Sequence, residues 1–541
     1  MRSTLISIII VCLVIGCLLQ PQHDSVTSTP VPGENIPAGS EKPPPEPLPE
    51  PPETQEPPKT QEPPLEPSTP CSYESPFGFH TARMIPTSLT GKPKPQNPDT
   101  INFYEDAQTI GVAWERPGLY CHWIIIQPTK TDIENNVYHW ELNDIHYTHI
   151  PESICILGNI GLPERVHPDT WELTESEKDY ITFVKAVVER YDGDGKNDMP
   201  DLKNPILYWQ VENEPDLHSA DWKGYANIQK ITYQAIKEAC PECTVICGGM
   251  SGGGIRVFEK FYRPILKELN GKYIDIFDFH WYGNAFGDYK EVKPVYETIQ
   301  TALHEYGYSA DIWITEMGTY SGTPFKWNPQ TEADQARDVI KRYIYSLAIG
   351  VKKVFWAWGL QEGFKHDNGF FDHTGFVYDG EHPDDFGRGQ KKLSYYTFKK
   401  MTEILHGFNQ ISLEINQEIY RVTMLKDGTP VYCVWWDFFN DPEYNVHNPQ
   451  KEITIPVHSN NPLLLTEAVP HFSQGIHITS YETAFTTKVL HPEKNTITFT
   501  IGETPVFLTE IDKNSLYSGP IPFWTSYVLI ILGAIKLLLI N

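Results

Sequence analysis

From about Tyr73 to Gly407, short apolar runs alternate with amphipathic stretches. The runs FGFHTA, GVAWER, ICILGNI, ILYWQVEN, TVICGG, IDIFDFHWY, DIWITEM and KVFWAWG are rich in β-branched and aromatic residues, and this predicts eight strands. Between them lie segments with apolar residues at helical spacing: TINFYEDAQTI, the region around YHWELNDIHY, SEKDYITFVKAVVERY, GYANIQKITYQAIKEA, VFEKFYRPILKEL, VYETIQTALHEYG and TEADQARDVIKRYIYSLAI. KKLSYYTFKKMTEIL follows the eighth strand. Strands that read as near-continuous apolar runs are buried on both faces, as in a parallel sheet covered by helices. Eight strand–helix units in about 330 residues predict an α/β fold of the (β/α)8 TIM-barrel kind. A doubly wound open sheet is the alternative.

After Gly407 the period shortens. ISLEIN, IYRVTMLKDGTPVYCVWWD, EITIPV, GIHITSYET, TITFT and TPVFLTE read as strands joined by short turns, including a hairpin at Lys426-Asp427-Gly428. They predict a C-terminal antiparallel β-sandwich over 408–513, packed against the barrel or binding sugar.

The two ends of the chain read differently. Arg2 followed by LISIIIVCLVIG is a signal-peptide pattern, and it ends in Val14-Ile15-Gly16-Cys17. That ending resembles the lipobox of prokaryotic lipoproteins, which implies cleavage and lipidation at Cys17; an ordinary signal peptide is the other reading. Residues 18–72 form a linker, and 17 of the 46 prolines fall within 21–70, where the unit TQEPP repeats. Such a segment has no apolar face to bury and favours extended polyproline II, so it reads as a stalk. Within 514–541, Phe523–Ile540 is an apolar run interrupted by Lys536, and it reads as a membrane span or as a tail docked elsewhere. Together these segments predict export, with the barrel (73–407) and sandwich held at a cell surface or membrane.

Charge narrows the partner. A net charge of −27 argues against nucleic acid, which needs clustered Lys and Arg. The aromatic content of 13% suits sugar stacking or a large core. DGDGKNDMPD offers Asp192, Asp194, Asn197, Asp198 and Asp201, but lacks the full EF-hand pattern; it reads as a solvated turn or a calcium loop on the face away from the chemistry. Cys240, Cys243 and Cys247 lack the second ligand cluster that zinc requires. In an exported chain one disulfide is expected among Cys71, Cys121, Cys155, Cys240, Cys243, Cys247 and Cys433, with the pairing left open.

Candidate chemistry lies at strand ends. In a TIM barrel the reacting groups stand at the C-terminal ends of the strands. Glu214 closes the fourth strand, because Pro215 cannot continue its ladder, while Glu212 lies two residues deeper. Glu316 closes the seventh strand in DIWITEMGTY. Two carboxylates across a barrel mouth are the minimum for glycosidic bond cleavage. Asn213-Glu214-Pro215 with Glu316 resembles the clan A glycoside hydrolases, the 4/7 barrels, over roughly 75–407. AWERPGLYCHW and the trailing sandwich are most similar to family 39, and His280-x-Tyr282 resembles a family 5 feature.

The resemblance implies a retaining hydrolase, with Glu316 as nucleophile and Glu214 as acid and base, acting on an oligo- or polysaccharide. It implies substrate contacts or support from Asn213, His280, Tyr282, Trp358, Arg116 and His80, and no metal or cofactor. Glu212 departs from the pattern, since relatives carry an apolar residue or glycine there. A surface-anchored carbohydrate-binding protein on an inactive barrel is the alternative function; it would not need both carboxylates.

Overall fold

The computed structural model describes residues 71–81, 103–252 and 254–511. The lipobox-like motif, the proline-rich stalk and the 514–541 tail lie outside these residues. Among the described residues no helix is long and apolar enough to cross a membrane.

The eight barrel strands are β1 (Phe77–His80), β2 (Trp114–Glu115), β3 (Cys155–Gly161), β4 (Tyr208–Asn213), β5 (Thr244–Gly249), β6 (Ile276–Tyr282), β7 (Asp311–Gly318) and β8 (Val354–Ala357). Every neighbouring pair is parallel, and the pairings of β1 with β8 and of β2 with β3 close the ring. Each matches one of the eight apolar runs, with β3 and β7 extending one residue beyond theirs, and the closed barrel replaces the open-sheet alternative. Helices occupy the intervening segments. In Glu177–Tyr191 the buried residues Tyr180, Phe183, Val184, Val187 and Val188 recur at the spacing of one helical face. Helix Glu332–Ile349 starts with a Thr331–Asp334 capping box and ends at Gly350, whose φ of 118° only glycine adopts without strain.

The lower interior of the barrel is aromatic. Trp114, Tyr208, Trp313 and Phe355 meet with ring centroids 5.0–6.3 Å apart, and Tyr73 lies across Trp114 and Tyr208 from below. A Cys71–Cys155 disulfide fastens the segment before β1 to the start of β3. A second disulfide joins Cys240 to Cys243, which removes those two thiols from any zinc site; Cys121, Cys247 and Cys433 are free and buried.

The C-terminal strands are β9 (Gln410–Asn416), β10 (Ile419–Lys426), β11 (Thr429–Trp436), β12 (Lys451–Pro456), β13 (Leu463–Glu467), β14 (Thr487–Leu490), β15 (Thr496–Ile501) and β16 (Val506–Glu510). They form a six-stranded antiparallel sheet in the order β9-β10-β11-β16-β13-β14 and a two-stranded sheet of β12 and β15. The β10–β11 hairpin turns at Asp427 and Gly428, both with positive φ. Strand β11 is buried on both sides: Cys433 and Trp435 join the barrel's core, while Tyr432, Val434 and Trp436 pack against the small sheet. Trp435 Nε1 donates to Tyr289 Oη of the barrel at 2.9 Å.

The GIHITSYET segment is a correction to the sequence reading, because no strand forms there. Gly475–His477 is a single 3-10 turn whose Gly475 N–H donates to Glu332 Oε2, so this backbone bonds to the barrel instead of to a neighbouring strand. Strands β13 and β14 take its place in the sheet.

Candidate active site

The polar layer begins directly above the aromatic floor. Ile276 is buried with the floor rings, and on four strands the next inward residue is polar: Arg116 after Trp114, Gln210 after Tyr208, Asp278 after Ile276 and Thr315 after Trp313. The period of two along a strand dictates this stacking. All four polar side chains are fully buried.

Arg116 organises the layer. Its guanidinium donates to Glu316 Oε1, Gln210 Oε1 and Asn213 Oδ1, each at 2.7 Å. Tyr282 Oη donates to the other oxygen, Glu316 Oε2, at 2.7 Å. His280 stands between the two carboxylates, with Nδ1 2.7 Å from Glu214 Oε1 and 3.4 Å from Glu316 Oε2. His80 donates from Nδ1 to the Arg116 carbonyl at 2.6 Å, and its Nε2 lies 3.4 Å from Glu316 Oε1. One oxygen of Glu214 and one of Glu316 lie within 4.8 Å of each other and of a His280 nitrogen.

The electrostatics separate the acids. Burial pushes the Glu316 carboxyl up, but His280, His80 and Arg116, with the Tyr282 hydroxyl, overcome this and hold its pKa at about 2. Burial and the Arg116 charge pull His80 down to about 3, so it is neutral. Burial also works against a charged His280, yet Glu316 and Glu214 outweigh it and raise its pKa. Asp278, buried beneath His280, is pushed up to about 6 by burial, against the opposing His280, Thr315 and Arg116. Gly249 leaves the room for this stack, since a Cβ there would stand 2.2 Å from His280 Nε2.

Glu212 does not join the cluster. Strand alternation puts residues 212 and 214 on one face, but Glu212 has φ of 68° and Glu214 φ of 47°, and these left-handed turns separate the two side chains. Glu212 accepts from the Leu162 N–H at the end of β3, and burial pushes its pKa up to about 7. Glu214 instead reaches the mouth, with a fifth of its side chain exposed.

Trp358 follows β8 at the mouth. Phe364 stacks on it with centroids 3.9 Å apart, so one indole face is already covered, and His80 leans against it at 4.1 Å. The structure thus brings together Glu214, Glu316, Asn213, His280, Tyr282, Arg116, His80 and Trp358. Gln210, Asp278, Thr315 and Tyr120, whose hydroxyl lies 3.3 Å from His80 Nε2, also belong to the cluster and were not foreseen. The signal for the first three was present, because a polar residue inside an apolar strand needs a buried partner.

On the opposite side of the barrel, the Asp192–Asp201 loop brings one oxygen each of Asp192, Asp194 and Asp198 within 4.8 Å of one another, and the loop's own donors reach all three acids. Asp198 accepts from the N–H groups of Gly193 and Gly195, Asp192 from Asp194, and Asp194 from Lys196.

The closed parallel barrel carries paired acids at the ends of its fourth and seventh strands, an arrangement similar to that of the clan A glycoside hydrolases. Residues 197–377, which span β4 to β8 and both glutamates, match the family model described as "Glycosyl hydrolase catalytic core". No curated protein matches the chain in sequence. The fold is shared with a family 39 glycoside hydrolase from Bacteroides cellulosilyticus, at 17% identity and TM-score 0.54, over 75% of this chain and 77% of that one. It is also shared with a family 51 α-L-arabinofuranosidase from Bifidobacterium longum, at 14% identity and TM-score 0.54, over 81% and 96%. A monomeric β-xylosidase from Caulobacter crescentus aligns at 14% identity and TM-score 0.51, over 82% and 98%.

Proposed function

We propose that the protein hydrolyses O-glycosidic bonds of a plant- or cell-wall-type oligo- or polysaccharide with retention of configuration. The observation that carries this reading is the approach of Glu214 and Glu316 oxygens to within 4.8 Å. Retaining pairs stand about 5–5.5 Å apart, whereas inverting pairs need roughly 6.5–9.5 Å to admit a water.

The environments assign the roles. Glu316, held ionised by Arg116, Tyr282 and His280, attacks the anomeric carbon. Glu214 protonates the departing oxygen as the C–O bond breaks. Glu214 then takes a proton from water, whose oxygen attacks the same carbon and expels Glu316. Asn213, fixed by Arg116, is placed to meet the sugar beside the reacting carbon. Rings continue outward from Tyr282 through Phe370 to Tyr320 and Trp327, beside a cavity of about 190 Å³, which supports a substrate longer than one sugar. The arabinofuranosidase and β-xylosidase names of two structural relatives support a wall-type saccharide.

The test uses the full chain and a panel of aryl glycosides. The first-formed anomer, read by NMR, should keep the substrate's configuration, and an inverted product would sink the double displacement. Glu316→Ala should be inactive on every substrate, with azide restoring turnover and giving an inverted glycosyl azide. Glu214→Ala should keep turnover only on activated leaving groups, with azide giving a retained product. No turnover anywhere on the panel would favour a carbohydrate-binding role.

The reading extends to location. Val14–Cys17, the proline-rich stalk and the two disulfides support an exported protein tethered at its N-terminus. Lipid labelling should disappear in Cys17→Ser, and its persistence would exclude the lipobox.

A further inference from the structure

The loop from Gly359 to Gln390 holds a cluster of acids that the glycosidase reading does not use. Glu362 and Asp379 are buried, with 2% and 4% of their surface exposed, and Asp385 lies beside them. One oxygen from each of the three lies within 4.8 Å of the others.

Each carboxylate has one oxygen tied and one free. Glu362 Oε1 pairs with Lys392, whose ammonium also donates to Ser321 Oγ at 2.8 Å. Asp379 Oδ1 accepts from the Glu381 N–H at 3.0 Å. Asp385 Oδ2 accepts from the N–H groups of Gly380, Glu381 and His382 at 2.9, 3.1 and 3.3 Å. The remaining oxygens, Glu362 Oε2, Asp379 Oδ2 and Asp385 Oδ1, are buried and have no hydrogen-bond partner among the described residues. Three carboxylates buried this close together are costly to keep ionised unless Asp379 and Asp385 share a proton or a cation gathers all three.

The neighbouring Asp372 shows that the loop can satisfy an acid when it needs to. Its two oxygens accept from the N–H groups of Lys365, His366 and Asp367. The trio is therefore a different construction, with its tied oxygens fixing the orientation of the free ones.

We propose that Glu362, Asp379 and Asp385 bind a calcium ion that fastens this loop. Calcium takes hard oxygen ligands at about 2.3–2.6 Å, so oxygens on opposite sides of one ion stand about 4.6–5.2 Å apart, which the trio's spacing accommodates. Zinc's preference for nitrogen and sulfur at shorter range is not met by three carboxylates. The loop carries Phe364 onto Trp358 and Phe371 against Tyr282, at centroid distances of 3.9 and 5.0 Å, so the ion would stiffen one wall of the mouth. The inference does not depend on the reaction assigned to that mouth.

The experiment is calorimetric titration of the full, chelator-stripped chain with CaCl2, alongside thermal unfolding. One calcium per chain should bind, and the Tm should rise by several degrees, with magnesium much weaker. Asp379→Asn and Glu362→Gln should each weaken binding about 100-fold or more, since each removes a ligand charge. Asp198→Asn, in the loop on the opposite side of the barrel, should leave the titration unchanged. If neither trio variant folds, the wild-type titration and Asp198→Asn still decide. No heat and no Tm shift at about millimolar CaCl2 would overturn the proposal. So would calcium binding that is lost in Asp198→Asn.

Discussion

Two levels of the same barrel, two residues apart along each strand, are held together by different physics. At the floor Trp114, Tyr208, Trp313 and Phe355 fill space with rings and depend on volume. One step up, Arg116, Gln210, Asp278 and Thr315 are just as buried, but each depends on a particular partner. A floor residue can be judged by its size alone. A residue of the polar layer can be judged only from the charges and donors around it. The floor supplies a rigid support, and the layer above spends part of that stability on holding charge out of water.

The sharpest way to break this contrast is Arg116→Met. Methionine keeps much of the volume but removes a charge shared by Glu316, Gln210 and Asn213. Stability should fall by about 3–5 kcal/mol, as when one partner of a buried pair is deleted, and activity should be lost with it. Denaturant unfolding and turnover measured on the same preparation check both. A stable, active variant would mean that the polar layer tolerates isosteres as the floor does.

Trp313→Ala tests the other level. It should cost about 3–5 kcal/mol through the cavity it leaves, while kcat per folded molecule stays near the parent value. A selective loss of kcat at unchanged stability would place the floor in the chemistry.

Glu212→Gln sharpens the comparison through pH. The folded pKa of about 7 lies above the ordinary 4.5, so the wild-type fold favours the protonated acid. That contribution is fully present below pH 4.5 and is lost as pH rises through 7, a span worth at most about 3 kcal/mol. Glutamine retains an acceptor for the Leu162 N–H. The variant should therefore melt close to wild type at pH 5 and higher than wild type at pH 8. Equal shifts at both pH values would refute the assignment.

Tyr282→Phe should have the smallest effect on the fold. Removing one hydrogen bond to the charged Glu316 should cost about 10- to 100-fold in kcat/KM, the size of a charge-assisted bond. It should also move the acid limb of the pH profile upward, because a donor that depresses the Glu316 pKa is gone. An unmoved limb would assign that limb to another group.

The same contrast explains what was legible in the sequence. The eight strands and most helices could be placed because burial imposes periods of two and 3.6 on neighbouring residues. Glu214 could be located because its strand stops at Asn213, and Glu316 because it lies in the last turn of the pleat before β7 ends at Gly318. Their separation from Glu212 could not be foreseen, since alternation argues for a shared face and only the positive φ values break it. The strand expected at GIHITSYET failed because its partner, Glu332, is far away in the chain. The Cys71–Cys155 pairing and the Glu362, Asp379 and Asp385 cluster were hidden for the same reason, as both join residues that follow no local period.

The Cys71–Cys155 bridge also determines how the molecule carries force. A pull on the chain ahead of Cys71 enters the fold at the sulfur of Cys155, at the start of β3. The four-residue β1, which would otherwise be the first strand to peel from the sheet, is bypassed. In a reducing medium that shortcut opens, and the same pull reaches the hydrogen bonds of β1 with β2 and β8 directly. A single pair of thiols thus sets whether tension on the chain is resisted by a covalent bond or unzips the barrel from its first strand.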